Sequence, residues 1–532
     1  MTLNQTFNNW TIITDEPNEE LVFEHNATGN RVTLHEDGQI DAPAVSTDQL
    51  SHDHVYNFRG DFGAVGDGTT DDTQAFLDAT QQIIDDGGDV VLYLPSGTYL
   101  HTQSEEEGGA LAFPDTANVT LMGDGAASVI KQGAESTTDD HGCKLIQPGP
   151  DCTIKDLKLD GGQQNNRPIT DDFDGANILQ AARGLTLQNV RSINSTGDGV
   201  EIFGKDARVL GCYFEDNYEQ DVHCWRGETV IADNVMRGCL NDGAIRVFRS
   251  SDKPENTDPT NENLVIRDNL IVNPDTNGVE LAVGADVTIE NPTIKDNTII
   301  NPSENGIFAS EITNNPEIVD NTVVGATQDG IKVDYFCDGA EIRDNVIRDC
   351  GRDGVRLSAS NSRVVDNRIE LSGRHGLAIS EGGSDTLAEI DVVDNLVKNS
   401  SQNGNSKYGI FIDSNDNGID ALYIEDNRVI STTTPKQRNG IFIQSNTGAY
   451  SNVYIRDNDV SGSEFAEILL QETVTVVSGN EPVYQTDLST YGSAPAGAEM
   501  WSDGTTGTAG PHRFDGSTWH GFAQASGSTV TP

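Results

Sequence analysis

An Asp-Asn pair returns nine times in one fixed setting along this chain. In each pair the Asn follows an apolar residue by three positions, and the nine residues are Asn234, Asn269, Asn297, Asn321, Asn345, Asn367, Asn395, Asn427 and Asn458. The intervals between them run from 22 to 35 residues. Intervals of this size are typical of a solenoid whose repeats stack on one another. The pattern therefore constrains the fold more than any other feature of the sequence.

A second marker follows six of these Asn residues by nine positions. It is a Gly that opens a short alternating run, as in Gly330-Ile-Lys-Val333 and Gly354-Val-Arg-Leu357. Alternation with a period of two indicates a strand with one buried face. Repeats of about 22 residues that hold only strands and turns predict an all-β fold, a right-handed parallel β-helix solenoid of about 13–14 coils.

The repeated Asn residues have a mechanical interpretation. Asn tolerates the left-handed backbone conformation of a sharp bend. Its amide can also bond to the Asn of the next coil, as amides do in stacked β structures. We therefore interpret the Asp-Asn pairs as structural, and not as metal sites or catalytic dyads.

Charge narrows the range of partners. The chain has 33 Lys and Arg against 85 Asp and Glu, a formal net charge of −52. Nucleic-acid binding needs a basic surface, so this composition argues against it. The sequence contains no run of 18 apolar residues, which argues against a membrane span. Its first ten residues lack the basic start and apolar stretch of a signal peptide.

The chain has 7 Cys, none of them in a Cys-x-x-Cys motif. They are predicted to be buried free thiols.

The chain divides into three regions. Residues 1–55 contain short strand-like segments, 56–480 hold the repeats, and 481–532 are rich in Gly and Trp. Residues 58–100 contain Asp61-Phe-Gly-Ala-Val-Gly-Asp-Gly68 and Val90-Val-Leu-Tyr-Leu-Pro-Ser-Gly-Thr-Tyr99. This stretch resembles the N-terminal cap of the pectate-lyase-like superfamily, which includes polygalacturonases and viral tailspikes. Because that superfamily contains lyases, hydrolases, epimerases and inert adhesins, the resemblance implies the fold and leaves the activity open.

The cap is predicted to contain one helix, over about 72–85, that begins at Asp71 or Asp72. Its apolar face would plug the first coil, and comprises Ala75, Phe76, Ala79 and Ile83. The two terminal regions are predicted to be small β modules. They resemble the attachment segments and end modules of viral tail and fibre proteins, so residues 1–55 are expected to bind other virion proteins or further copies of the chain.

Strand alternation predicts which side chains face outward in the repeats. Three neighbouring coils present the rings of Phe203, Trp225 and Phe248, beside the ionisable residues Glu201, His223 and Arg246, with Asp198, Asp242 and Glu280 close by. Rings stack on sugar faces, and charged groups bind hydroxyls or carboxylates. We therefore predict a carbohydrate site, with Asp198, Glu201, His223, Asp242 and Arg246 as candidate catalytic residues and Phe203, Trp225, Phe248 and Glu280 as sugar contacts. The alternative is an ordinary strand face of mixed residues.

The sequence is compatible with more than one kind of enzyme activity. A glycosidase needs two carboxylates about 5–9 Å apart, and a lyase needs a base such as His223 or Arg246. Polygalacturonases carry Asn-Thr-Asp, Asp-Asp, Gly-His-Gly and Arg-Ile-Lys motifs in successive coils. This chain has only Arg374-His-Gly376 and Gly330-Ile-Lys332, far from the Asp candidates, so that mechanism is not supported.

No metal or other cofactor is expected. One string, Asp413-Ser-Asn-Asp-Asn-Gly418, matches the first half of a calcium loop, but its twelfth position is Ile424 where such loops carry Glu. A turn after a strand explains the string equally well.

The acidic, Lys-poor composition resembles proteins of salt-loving archaea and their viruses. Our leading hypothesis is a virion surface protein of an archaeal virus, a tail spike, fibre or turret. It would form a homotrimer and bind a host-surface polysaccharide or glycoprotein glycan. The first alternative is an extracellular polysaccharide lyase or glycoside hydrolase of a halophilic organism, and the second is a purely structural spike.

Overall fold

The repeats form a parallel β-helix in the computed structural model of the chain. The structure describes residues 54–102, 110–133, 144–162, 176–180, 182–225, 228–249, 260–283, 288–310, 313–380, 386–403, 407–414, 418–434, 436–444 and 450–470, together with short strands outside them. Its main body consists of two long sheets whose neighbouring strands run parallel. The prediction of an all-β solenoid is thereby confirmed.

One long sheet receives a single strand from each of fourteen coils, and we call it the wall sheet. Its strands in chain order are β1 (Leu111–Ala112), β2 (Lys144–Gln147), β3 (Ala176–Gln180), β4 (Asp198–Ile202), β5 (Val222–Cys224), β6 (Ile245–Arg249), β7 (Val279–Val283), β8 (Ile307–Ala309), β9 (Ile331–Val333), β10 (Val355–Leu357), β11 (Leu377–Ser380), β12 (Tyr408–Asp413), β13 (Asn439–Gln444) and β14 (Ala466–Leu470).

The second long sheet has 29 strands, and most coils contribute two of them across the Asp-Asn bend. They are His54–Asn57, Asp67–Asp71, Gly88–Leu94, Gly97–His101, Ala117–Gly123, Ser128–Gln132, Thr153–Asp160, Thr186–Ile193, Arg208–Leu210, Tyr213–Glu215, Val230–Ala232, Val235–Arg237, Val265–Arg267, Leu270–Val272, Thr293–Lys295, Thr298–Ile300, Glu317–Val319, Thr322–Val324, Glu341–Arg343, Val346–Arg348, Ser362–Val365, Arg368–Glu370, Leu387–Val393, Leu396–Lys398, Ile419–Glu425, Arg428–Ile430, Tyr450–Arg456, Asp459–Ser461 and Val476–Ser478.

Smaller sheets complete the described strands. A three-stranded parallel sheet lies beside the middle coils, and comprises Thr260–Glu262, Thr288–Glu290 and Thr313–Asn314. The N-terminal region forms a five-stranded antiparallel sheet of Gln5–Phe7, Trp10–Asp15, Glu20–His25, Arg31–Leu34 and Ile40–Asp41. The C-terminal region forms a four-stranded sheet of Tyr484–Gln485, Glu499–Ser502, Gly510–Phe514 and Trp519–Gly521. Small β modules were predicted at both ends, whereas their role in attachment stays a prediction.

Helices occur near the first coils. They are α1 (Phe58–Phe62), α2 (Thr73–Asp86) and a 3₁₀ turn at Gly125–Ala127. The predicted apolar face of α2 is buried, with Phe76, Ala79 and Ile83 all at 0% exposure. Asp72 is the N-cap residue, but its carboxylate accepts hydrogen bonds from the backbone of Val65 and Gly66 and not from the helix. No helix in the described part of the chain is long and apolar enough to cross a membrane.

The nine Asn residues form a continuous ladder along the second sheet. Asn234 Nδ2 donates to Asn269 Oδ1 at 2.9 Å, and the same bond repeats coil by coil until Asn427 donates to Asn458, also at 2.9 Å. One detail of the prediction is wrong. The preceding Asp takes the left-handed conformation, as Asp320 does at φ 55°, because it stands exposed at the bend while the Asn turns inward to bond.

Candidate functional site

The predicted site residues lie together on the outer face of β4 to β7. The strand register pairs Glu201 with His223, His223 with Arg246, and Arg246 with Glu280. In the same register Trp225 lies beside Phe248, one residue beyond the end of β5. The prediction that alternation brings these side chains to one face is therefore correct.

In the two coils before the site, alternation counted from the Gly marker predicts that Lys144 and Asn177 stand in the same outward column as Glu201, and this prediction is wrong. Ile178 pairs with Val200 and Leu179 with Glu201, so Leu179 occupies the column in which the alternation places Asn177. Lys144 pairs with Ala176 and also leaves the column. Asn177 is instead buried, and its amide donates to Ser192 Oγ at 3.0 Å. Counting from the Gly marker, which aligns the later coils, therefore misplaces the column by two residues in β3 and by three in β2.

A histidine and two carboxylates form the centre of the site. Donor atoms of Asp198, Glu201 and His223 all lie within 4.8 Å of one another. Glu201 and His223 face outward and Asp198 lies at the corner before β4, and all three are largely covered, at 6%, 8% and 3% exposure. Each is held by a neighbour: Asp198 Oδ1 accepts the Gln220 N–H at 2.9 Å, and Trp225 Nε1 donates to Glu201 Oε1 at 2.8 Å.

His223 has one nitrogen fixed and one without a partner. Nδ1 lies 3.1 Å from Asp198 Oδ2, whereas buried Nε2 has no hydrogen-bond partner among the described residues. Burial lowers the pKa of His223 to about 4, and the Arg246 charge adds to this, although Glu201 opposes it. The imidazole is thus neutral at neutral pH. With Nδ1–H donating to Asp198, Nε2 carries the lone pair of a base.

Arg246 bridges two further carboxylates. Its NH1 lies 3.1 Å from Asp242 Oδ2, and its Nε lies 3.8 Å from Glu280 Oε1. Asp242 also accepts from the Gly243 N–H at 2.8 Å and from Thr276 Oγ1 at 3.1 Å, and Gln220 donates to it as well. With its oxygens occupied in this way, Asp242 is suited to holding Arg246 and not to transferring protons. Burial raises the pKa of Glu280, although Arg246 opposes that rise.

Three rings cover one side of the centre. Phe203 and Trp225 are stacked, with ring centroids 5.3 Å apart and an angle of 8° between planes. Phe248 meets Trp225 edge-on at 5.6 Å. Trp225 is 8% exposed, while Phe203 and Phe248 are half-buried, so the outer two rings offer the accessible faces.

Sequence reasoning missed Asp221. It is fully buried, accepts from Asn217 Nδ2 at 2.8 Å, and its Oδ2 has no partner among the described residues. Burial raises its pKa to about 8, so the carboxyl is protonated at neutral pH. One signal was available in the sequence. Asp221 stands in the register position where neighbouring coils carry Gly199, Ala244 and Gly278, so it interrupts the repeat.

The central cluster does not fit calcium. Calcium takes six to eight oxygen ligands, whereas here one of three donors is a His nitrogen, and oxygens of both carboxylates already accept hydrogen bonds. Two carboxylates and an imidazole suit a transition metal better. Of the calcium-like string at Asp413–Gly418, the middle residues 415–417 lie outside the described residues.

Comparison with family models identifies the fold. The model of the right-handed β-helix region matches residues 151–323, 263–396 and 313–481, so its overlapping matches cover more than half of the chain. A second model, described as rhamnogalacturonase A/epimerase, pectate lyase-like, matches residues 57–147. The resemblance inferred from the cap sequence is thereby confirmed.

Two curated relatives come from Azotobacter vinelandii. Mannuronan C5-epimerase AlgE1 is 30% identical over 249 residues, which are 46% of this chain and 16% of that protein. Alginate lyase 7 is 32% identical over 196 residues, which are 36% of this chain and 21% of that protein. The chain therefore spans about a fifth or less of the length of these relatives.

A solved structure with the same fold is a mutant tailspike protein of the E. coli bacteriophage HK620, in complex with a hexasaccharide. Its TM-score is 0.55 and its identity 12%, with 79% of this chain and 82% of that chain covered. At this identity the likeness extends to the fold alone.

Proposed function

We propose that this chain, which belongs to the right-handed β-helix family, is an enzyme that abstracts a proton from a uronate sugar in an acidic polysaccharide. The reaction would be C5 epimerisation or β-elimination at the site on β4 to β7. One observation carries the proposal: a neutral, nearly buried imidazole whose Nδ1 is held by Asp198 and whose Nε2 is without a partner among the described residues.

His223 is assigned as the base. In the proposed step the sugar C5–H bond breaks, the proton passes to Nε2, and the electron pair moves into the neighbouring carboxylate. Return of a proton from the opposite face gives the C5 epimer. Expulsion of the C4 oxygen, with a proton delivered to that oxygen, gives an unsaturated sugar instead. Asp198 holds the required tautomer and stabilises the imidazolium that forms.

The surrounding groups suit the substrate. Electron density accumulating on the uronate carboxylate needs a positive or hydrogen-bonding partner. Arg246 lies beside His223 in the strand register and supplies a positive charge there. Half-buried Phe203 and Phe248 provide faces against which a sugar ring packs. The names of the two Azotobacter relatives, an epimerase and a lyase, support the same substrate class.

The test combines product analysis with two matched variants. The full chain is incubated with polymannuronate, polyguluronate and polygalacturonate in D₂O, and deuterium at C5 and unsaturated ends are measured by NMR and ultraviolet absorbance. His223→Gln should lower the rate about 10²–10⁴-fold. His54→Gln, the same change at a half-buried histidine of the cap, should leave the rate unchanged.

The pH profile sharpens this assignment. Because the base acts when neutral and its pKa is lowered to about 4, activity should fall only as pH drops through about 4, not through the ordinary 6.5. Unchanged turnover by His223→Gln, or no deuterium at C5 from any of the three polymers, would overturn the proposal.

A second candidate is the virion surface protein predicted from the sequence. The likeness in fold to a tailspike whose structure holds a hexasaccharide supports it. In this case the same wall would bind host-surface glycan without turnover, the chain would form a homotrimer on the virion surface, and residues 1–55 would attach it. Trp225→Ala should then abolish glycan binding, and mass measurement in molar salt should give a trimer. A monomer in that measurement contradicts this candidate.

A further inference from the structure

A stack of four cations follows one edge of the wall sheet, far from His223. Four cations each stand two residues before a Gly at the start of β10, β11, β12 or β13; they are Arg352, Arg374, Lys407 and Arg438. The backbone aligns them in two pairs: the Arg374 N–H donates to the Arg352 carbonyl at 2.8 Å, and the Arg438 N–H donates to the Lys407 carbonyl at 2.7 Å. The strand pairing of Leu377 with Ile410 places the two pairs in neighbouring coils. Four like charges thus repeat at the coil spacing of about 4.8 Å.

Without a bound anion, this row of like charges destabilises the folded protein. Like charges directly opposite each other on neighbouring strands are destabilising, and the chain has only 33 Lys and Arg to place among 532 residues. Buried carboxylates only partly offset the repulsion. Arg352 lies 3.9 Å from Asp329 and Arg374 lies 3.8 Å from Asp353. Lys407 and Arg438 form no ion pair within the described part of the chain.

Two more cations face outward from the adjoining strands. Lys332 and Arg356 are paired in the register of β9 and β10. Lys332 lies 3.2 Å from Asp334 and over the Phe308 ring at 4.2 Å. The Arg356 side chain has neither a hydrogen bond nor an ion pair with any residue the structure describes. Cations therefore outnumber carboxylates locally, in a chain with a net charge of −52.

A group of rings adjoins these charges. Tyr408 and Phe411 are half-buried on β12, and Tyr408 lies 4.5 Å from Phe442 of β13 between ring centroids. Phe465 is 45% exposed, and the Arg438 guanidinium lies 5.5 Å from its ring centroid. Cations in single file beside apolar rings match a linear polymer that has a charge on each unit and apolar faces on its rings.

We propose that this surface, which we call the cation ladder (Arg352, Arg356, Arg374, Lys407 and Arg438), is a second binding site for one chain of an anionic polysaccharide. The polymer would carry carboxylate or sulfate groups and lie along the axis of the β-helix. Arg356 is five coils from His223 in the strand order, about 24 Å at the usual spacing. The inference shares its class of ligand with the proposed function but none of its residues.

The cation ladder would hold a polysaccharide molecule while His223 acts on another part of the same molecule. Binding at one site raises the effective concentration of the polysaccharide at the other site. A nucleic acid is the less favoured polyanion. Its charge density is high, and nucleic-acid-binding domains carry an overall basic surface, whereas this protein is strongly acidic outside the ladder.

Calorimetric titration of the full chain tests the inference. To prevent turnover, the measurements use the His223→Gln background, with octasaccharides of a polyuronate, a sulfated glycan and a neutral glycan. In that background Arg356→Gln combined with Lys407→Gln should weaken binding of the anionic octasaccharide about tenfold. Neither side chain forms an ion pair within the described structure, so the melting temperature should stay the same.

Arg208→Gln is the matched control, because Arg208 is an exposed cation of the other long sheet and forms no ion pair with described residues. It should leave the affinity unchanged. Raising the salt concentration from 0.05 to 1 M should weaken binding, since the Debye length falls from above 10 Å to about 3 Å. Preference between the uronate and the sulfated octasaccharide identifies the anion.

The inference is overturned if the double variant binds as tightly as Arg208→Gln, if the neutral glycan binds equally well, or if a single-stranded oligonucleotide binds more tightly than both anionic glycans. Turnover by His223→Gln tests the proposed function independently of the cation ladder. Loss of turnover in His223→Gln with the ladder affinity retained supports both, and turnover that survives in His223→Gln sinks only the catalytic assignment.

Discussion

Besides the cation ladder, two ladders of hydrogen-bonding side chains run along this β-helix, and they differ in how strictly they repeat. The inner ladder uses Asn in all nine coils from Asn234 to Asn458. The other follows the corner before the wall strands and changes its residue from coil to coil. Its members in register are Asp198, Gln220, Gly243, Asn277, Asn305, Asp329, Asp353, His375, Tyr408 and Asn439.

The difference follows from what each position must do. An inner Asn gives its Nδ2 to one neighbour and receives from the other at Oδ1, and it also satisfies buried carbonyls, as Asn321 does for Ile294 and Val319. No other side chain supplies that set. A corner residue needs only one acceptor for the next backbone N–H, so Asn305, Asp329 and Asp353 all serve.

The corner therefore has polar atoms left for other purposes. Asp198 accepts the Gln220 N–H with one oxygen and contacts His223 with the other. Asp353 accepts the His375 N–H, and the same carboxylate lies beside Arg374. In this protein, positions that carry the same residue in every coil stabilise the fold. Positions that vary from coil to coil are the ones whose side chains can also take part in binding or catalysis.

The largest effect is expected at the inner ladder. Asn321→Ala removes acceptors and donors from two coils and leaves several buried groups without partners, so the free energy of unfolding should fall by about 5 kcal/mol. Denaturant unfolding in molar salt measures it. Asn118→Ala, which removes one exposed hydrogen bond to Asp89, should cost under about 1 kcal/mol. Equal losses in the two variants would mean that an inner Asn contributes no more than one exposed hydrogen bond.

Next comes the Gly that opens each wall strand. A Cβ on Gly330 would lie 2.3 Å from Ile347 Cγ2 and 2.6 Å from the Gly354 carbonyl oxygen. Gly330→Ala should therefore cost about 3 kcal/mol through overpacking. Gly60→Ala in α1, where the nearest atoms are 3.6 Å away, should be close to neutral in the same unfolding assay. A neutral Gly330→Ala would mean that the coils tolerate local separation.

A substitution at the corner should raise the free energy of unfolding, whereas the two substitutions above lower it. Burial, reinforced by the charge of Asp329, raises the pKa of Asp353 to about 6, from an ordinary 3.8. The folded state thus holds a proton that the unfolded state has released, so the wild-type free energy of unfolding falls as pH rises from about 4 to 6. Asp353→Asn, the residue type of Asn305 in the same column, cannot ionise.

At pH 7 this variant should be about 3 kcal/mol more stable than the wild type, and the difference should vanish near pH 4. Unfolding curves at a series of pH values measure it, with Asp78→Asn on the exposed side of α2 as the control. Destabilisation of Asp353→Asn at pH 7 would show that the Asp353 carboxylate is needed ionised, as the partner of Arg374.

The smallest effect is expected within the site. Trp225→Phe keeps a ring beside Phe203 but removes the hydrogen bond to Glu201, so affinity for a polyuronate should fall about fivefold, or about 1 kcal/mol. Tyr93→Phe, which removes a hydrogen bond to Asp124 in the cap, should leave the affinity unchanged. An unchanged affinity in both variants would remove Trp225 from the sugar contacts.

Several features could be predicted because they repeat. The β-helix, its coil count, the Asn ladder and the plugging face of α2 follow from spacing and alternation, which sequence records directly. The outward set from Glu201 to Glu280 was found because alternation survives there. Register failed at Lys144 and Asn177, because the number of residues between one coil's marker and its wall strand changes where the coils are irregular.

By itself, the sequence determined that the chain winds into stacked coils, because a period of 22 to 35 residues is a property of the chain alone. Only the tertiary structure decided which oxygen of Asp198 contacts His223, that Asp221 is buried and protonated, and that four cations align. Stacking brings together residues that are tens of positions apart, and burial then changes their proton affinities. Neither the contact nor the solvent around it is recorded in the order of the residues.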